Sequence, residues 1–240
     1  MEFAFLYPTL YRILKPMFPD CLWSGADNPT SQSPTIALTF DDGPHPQWTP
    51  HLLDILDDYQ IWASFFWLGA CVRRSPEVAR AVCERGHGLG LHGYDHRSFP
   101  CLSPAQLQHS LERTQEEISD ACQLSRSWVK THVRDVRPPN GLFLPQTLRH
   151  LHQWGYRPVM WSVVPEDWVH PGVAVTIDRV LSQVRPGSLI VLHDGIYGGK
   201  DVTDTVRQLV PRLRDRGYQF VTIDRLWQSI SPNEWQGLKS

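Results

Sequence analysis

Residues 75–92 read Ser75-Pro76-Glu77-Val78-Ala79-Arg80-Ala81-Val82-Cys83-Glu84-Arg85-Gly86-His87-Gly88-Leu89-Gly90-Leu91-His92. They decide the fold because they hold one full period of a repeating plan. Ser75 places a capping hydroxyl before Pro76 at the first helical position, so a helix is expected over 76–85. Gly86 stops it, and an apolar run over 88–92 follows as a strand that ends on a histidine. A stop glycine followed by a strand recurs at Gly155, Gly187 and Gly217.

Working outward from this period, strands are expected at 35–40, 63–68, 88–92, 133–137, 158–163, 188–193 and 218–222. Helices are expected near 49–59, 76–85, 104–122, 145–154, 173–184 and 202–216, with a second Ser-Pro start at Ser103-Pro104. About seven βα units without an internal linker predict an α/β protein, a single closed or nearly closed parallel barrel. A doubly wound open sheet is the structural alternative. In a barrel the loops after the strands build the active site, so chemistry is sought there.

The 240 residues are 41% hydrophobic, enough for a substantial core. A formal net charge of -2 gives no basic footprint and argues against nucleic acid as a partner. Five scattered cysteines without a Cys-x-x-Cys pair fit neither a zinc knuckle nor a disulfide framework. Residues 1–23 are apolar and aromatic but interrupted by Pro8, Arg12, Lys15, Pro16 and Pro19. They match neither a membrane span nor a secretory signal, and they are expected to pack along the domain or to touch a membrane surface peripherally.

Four clusters follow strands. Asp41-Asp42 stands between the run Ile36–Phe40 and the turn Gly43-Pro44. Two adjacent carboxylates repel unless a cation shares the site. His92-Gly93-Tyr94-Asp95-His96 places two imidazoles four apart, facing one way if the segment is a helical turn. With one carboxylate they make a three-ligand site of the kind Zn²⁺ uses, although such a pair also occurs as surface or core histidines. Arg137-Pro138-Pro139-Asn140-Gly141 is a rigid turn whose arginine could hold a carboxylate and whose backbone could aim an N–H into the site. His193 ends the apolar run from Leu189 and suits a general acid or base. Gly88-Leu89-Gly90-Leu91-His92-Gly93 matches the dinucleotide fingerprint only formally, because its glycines overlap a strand and open no helix.

In order along the chain, TFDDGP, H-x-x-x-H, R-P-P-x-G, W-S-x-x-x-x-D-W and L-H-D resemble the polysaccharide deacetylase family from about Thr35 to Leu226. The resemblance implies a distorted (β/α)7 barrel that removes acetyl groups from N-acetylated glycans with a divalent metal, zinc first, cobalt or nickel as substitutes. It implies Asp41 as general base, oriented by Arg137; Asp42, His92 and His96 as metal ligands; and His193 as general acid. The backbone N–H of Asn140 would bind the oxyanion, with Trp168 and Val191 near the acetyl methyl. The division implied is a leader and connector (1–34), a catalytic domain (35–230) and a C-terminal tail (231–240).

Three positions depart from the family pattern. Gly93 stands where a Ser or Thr braces the loop, Asn140 where an aromatic forms a wall, and Val164 where an aspartate supports the acid histidine. Either Asp167 or Glu166 is expected to take over that last role, or His193 is expected to titrate differently. The alternatives are a deacylase acting on a small non-sugar amide and a catalytically weak sugar-binding relative. With no clear signal peptide or membrane span, a cytoplasmic or membrane-associated place is expected, with an extracytoplasmic one the alternative that the family resemblance offers.

Overall fold

The computed structural model describes residues 4–26, 33–196 and 198–230. The tail at 231–240 and most of the connector lie outside them. Seven parallel strands carry the fold: β1 (Thr35–Asp41), β2 (Ser64–Trp67), β3 (Gly88–Leu91), β4 (Asp135–Val136), β5 (Arg157–Pro158), β6 (Leu189–His193) and β7 (Gln219–Phe220). Their order is β5-β4-β3-β2-β1-β6, with β7 paired to the start of β1. This is the expected distorted barrel.

Alternation along β1 explains how it serves both layers. Ile36, Leu38 and Phe40 pack outward with Leu52 and Leu56 of α2 (Trp48–Asp58) and Leu209 of α9 (Gly199–Asp215). Ala37 faces inward, against Phe66, Leu189 and Trp227. Helix α10 (Ile223–Ser229) plugs the barrel beneath the strand starts with Ile223, Leu226 and Trp227. In β3, a Cβ on Gly90 would lie 2.5 Å from the Phe66 ring and one on Gly88 2.5 Å from Ser64 Oγ, so these two glycines of the false fingerprint serve close packing of the strand.

The expected strand at 158–163 is shorter. Pairing in the ladder stops at Pro158, and the chain then crosses to bridge Val163 with Ile190 beside β6. The seam between β5 and β6 is spanned by the leader: Leu22 bridges Val159 and Ser24 bridges Ser188. The leader also forms α1 (Tyr7–Met17), one of several helices the sequence pattern did not predict. The others are α3 (Gly69–Arg74), α6 (Arg126–His132) and α10, all of eleven residues or fewer and lacking a long apolar period. The Ser103 cap of α5 (Pro104–Cys122) is a full capping box with Gln106. Ser75 makes no side-chain cap to α4 (Pro76–Glu84); it also ends α3, and its backbone, at φ -136° and ψ 60°, lacks the extended geometry of a capping residue such as Ser103. No helix among the described residues is long and apolar enough to cross a membrane.

Tyr11, Leu14 and Phe18 pack α1 and the residue after it against a small core of Cys21, Trp23, Leu148 and Met160. Phe5, Leu6, Leu10, Ile13 and Met17 remain exposed.

Candidate active site and metal centre

The strand ends converge as the register dictates, with Asp41 and His193 directly opposite each other as the last residues of β1 and β6. In an extended chain Asp42 would point to the other face, but its φ of 71° reverses the backbone. Both carboxylates therefore reach the same imidazole, with His92 Nε2 3.5 Å from Asp42 Oδ1 and 4.0 Å from Asp41 Oδ2. Gly195 permits this, since a Cβ there would meet Asp42 Cβ at 2.5 Å.

His92 is fixed by Nδ1, which lies 2.7 Å from the Arg137 carbonyl. That carbonyl can only accept, so Nδ1 carries the proton and the Nε2 lone pair faces Asp42. Burial pushes the His92 pKa down, against the pull of Asp41 and Asp42, which favours the neutral ring a metal needs. His96 Nε2 lies 3.3 Å from the same Asp42 oxygen. The two histidines do not sit on a helical turn as expected. Gly93 (φ 82°) and His96 (φ 62°) bend the segment into a loop that brings the rings to 5.2 Å. Where a hydroxyl at position 93 is missing, α5 braces the loop instead. Thr114 donates to the Gly93 carbonyl at 3.0 Å and Tyr94 N–H to Ser110 Oγ at 2.8 Å.

One ligand atom each from Asp42, His92 and His96 lie within 4.8 Å of one another. Asp42 Oδ1 is buried without a hydrogen-bond partner. A buried carboxylate oxygen facing two imidazole nitrogens is a donor set that a divalent cation completes, so the residues fit a metal.

On one side of this cluster Arg137, 1% exposed, donates from Nη1 to Asp41 Oδ1 at 2.6 Å and to Thr39 Oγ1 at 2.8 Å, and from Nη2 to the Met160 carbonyl at 2.9 Å. On the other side Asp167 holds His193 twice, Oδ1 at 2.8 Å from Nδ1 and Oδ2 accepting the backbone N–H at 2.8 Å. Burial alone would push the His193 pKa down; the Asp167 carboxylate and its hydrogen bond, with Asp42 and Asp41 behind them, raise it to about 10. Glu166, the other candidate, turns its carboxylate to the Ala4 N–H and to Arg179. Val164 is buried and held through its backbone by Gln183.

A cavity of about 440 Å³ opens over these groups, lined also by Tyr7, Asn140, Trp161, Val164, Trp168 and Val191. The site residues expected from sequence border it, apart from Glu166 and from Arg137 and Asp167, which lie behind Asp41 and His193 and are hydrogen-bonded to them. Asn140 sits at φ 59° in the Pro139–Gly141 turn, its side chain donating to Ser98. Tyr7, Trp161 and Asp194 were missed. Asp194 is buried behind Asp42; burial first, then Asp42, raises its pKa to about 7 against the hydrogen bond from Thr49. It follows His193 directly in the L-H-D motif, which was the available signal, whereas nothing near Tyr7 in sequence points to the site. A larger hollow of about 850 Å³ lies under the strand starts. Its central charges neutralise each other, Asp135 pairing with Arg157 at 2.8 Å and accepting from Trp227 Nε1.

The chain is similar to known proteins over most of its length. Residues 28–159 match the family described as polysaccharide deacetylase. A peptidoglycan-N-acetylglucosamine deacetylase of Bacillus cereus is 35% identical over 196 residues, 80% of this chain and 87% of that protein. A chitooligosaccharide deacetylase of Azorhizobium caulinodans is 33% identical over 200 residues, 79% and 92% of the two chains. Among solved structures, the Bc1960 peptidoglycan N-acetylglucosamine deacetylase superposes with a TM-score of 0.79 at 26% identity, covering 89% of this chain and 95% of that one. With its motifs, its barrel and these relatives in agreement, the chain belongs to the polysaccharide deacetylase family.

Proposed function

We propose that this chain is a metal-dependent hydrolase that removes N-acetyl groups from N-acetylglucosamine-containing glycans of the chitooligosaccharide or peptidoglycan type. One observation carries the reading: an Asp-His-His cluster flanked by the Asp41–Arg137 pair and the Asp167–His193 pair under a single cavity.

Asp42, His92 and His96 would hold the metal, zinc in the first instance with cobalt or nickel as substitutes. When bound, it supplies Lewis acidity to the amide carbonyl and to water. Asp41 is pinned through Oδ1 by Arg137, leaving Oδ2 to accept the proton of the attacking water. Arg137 holds the carboxylate in one orientation, which is the part of catalysis that positioning supplies. The Asn140 N–H, at the turn bordering the cavity, binds the oxyanion as the carbonyl becomes tetrahedral. His193 is tied by Nδ1 to Asp167, so its Nε2 proton goes to the departing sugar nitrogen as the C–N bond breaks. Without that proton the amine is a very poor leaving group. The products are acetate and the free amine, with Trp168 and Val191 lining the place of the acetyl methyl.

Acetate release from chitooligosaccharides by protein loaded with Zn²⁺ or Co²⁺ tests this reading. Release that a chelator stops and added metal restores is expected. Fully metal-loaded protein that frees no acetate from any N-acetylated glycan would refute it.

A further inference from the structure

Outside the family-matched segment, which begins at residue 28, the leader contributes a side chain to the cavity. Tyr7 opens α1, half-buried, and stands edge-on to two rings of the cavity wall, 5.5 Å from Trp161 and 6.4 Å from Trp168. Trp168 in turn packs edge-on against the His193 ring at 5.2 Å. Tyr7 is held there from its own end of the helix: the buried Ala4 donates its N–H to Glu166 Oε2 at 2.8 Å, and Glu166 is buried one residue before Asp167. The far end of the leader is locked by Leu22 and Ser24 at the seam.

We propose that Tyr7 is a substrate-binding residue, completing with Trp161 and Trp168 an aromatic corner that receives the pyranose ring carrying the acetamide. The proposal rests on the deacetylase reading above. Two indoles meeting a phenol at near right angles, 86° in both cases, present apolar surface from two directions. The C–H faces of a sugar ring fit such surface, and a phenol adds a polar tip for a sugar hydroxyl. Burial and the nearby Glu166 charge raise the Tyr7 pKa, which keeps that tip a hydrogen-bond donor.

Binding and turnover separate this proposal from the reading it rests on. Chitotetraose is titrated into metal-stripped protein, followed by tryptophan fluorescence, and acetate release is measured on metal-loaded protein. Tyr7→Leu keeps apolar bulk against Trp161 but loses the aromatic face, Tyr7→Phe loses only the hydroxyl, and Ile13→Ala on the exposed face of α1 is the control. Tyr7→Leu is expected to weaken binding and raise KM about tenfold, with kcat and metal content within about threefold of the parent. Tyr7→Phe is expected to fall between Tyr7→Leu and the parent, and Ile13→Ala to match the parent. Unchanged Kd and KM in Tyr7→Leu would overturn the proposal, as would a parent protein that does not bind chitotetraose. Weakened binding in Tyr7→Leu with no acetate release by the metal-loaded parent from chitotetraose or any other N-acetylated glycan would uphold the corner and sink the deacetylase reading.

Discussion

His193 and Asp41 stand side by side at the ends of neighbouring strands, and each is oriented by its own buried partner. This pairing lets two mutations be told apart. Asp167→Asn removes the carboxylate that raises the His193 pKa, so the imidazolium loses its proton at lower pH. The basic limb of the pH profile of kcat/KM is expected to move to lower pH, and an unmoved limb would exclude His193 as the proton donor. Asp41→Asn is expected to lower kcat by about 10²–10⁴ with metal content intact. His96→Ala is expected to lower metal content itself, by elemental analysis. The reverse pattern would exchange the roles of base and ligand. Most of these residues were legible because each follows its strand directly, where barrel geometry gathers side chains. Asp167 was legible only as a choice between two acids, settled by the loop that turns Glu166 toward Ala4. Trp161 opens the W-S-x-x-x-x-D-W motif but was given no role there, and Tyr7 was not legible because an aromatic residue looks alike whether it fills a core or lines a site.

Helix α5 shows what a local signal specifies well. Ser103 and Gln106 satisfy each other's backbone N–H groups, so Ser103→Ala is expected to cost about 1 kcal/mol in urea unfolding without changing turnover. Gly90 in β3 is the opposite case, a position set by tertiary packing. Gly90→Ala drives a methyl into the Phe66 ring and is expected to destabilise by about 1–3 kcal/mol in the same measurement. All seven strands were located from apolar runs and stop glycines, while β4, β5 and β7, expected over 133–137, 158–163 and 218–222, were drawn too long, each being two residues. Residues 158–163 are apolar enough for a strand, but after Pro158 they serve two neighbours in turn, first Leu22 and then Ile190. Periodicity reports burial and not which neighbour causes it. The short helices α3, α6 and α10 escaped for the same reason, since their apolar residues answer to the barrel and not to a long repeat of their own.

The whole molecule is a barrel whose weakest seam is closed by the segment that precedes its first strand. Trp23 and Leu22 are each 1% exposed, so a chain beginning at Thr35 would uncover Met160 and Val159 as well as lose these two side chains. Such a chain is expected to lose at least ~3 kcal/mol of stability in urea unfolding, on the usual worth of burying two large apolar groups. Its partners also fix when the leader can settle. Ala4 must meet a residue 162 positions later, and Ser24 waits for Ser188. During synthesis the leader is made before the barrel, yet its binding surface is incomplete until Ser188 has been added. Local helices and neighbouring strands form with short loops, whereas this closure joins residues as far apart as Ala4 and Glu166 and comes late. The nascent protein therefore carries Asp42, His92 and His96 long before Tyr7 can take its place over them, and a segment made ahead of the barrel waits for most of it before it is put to use.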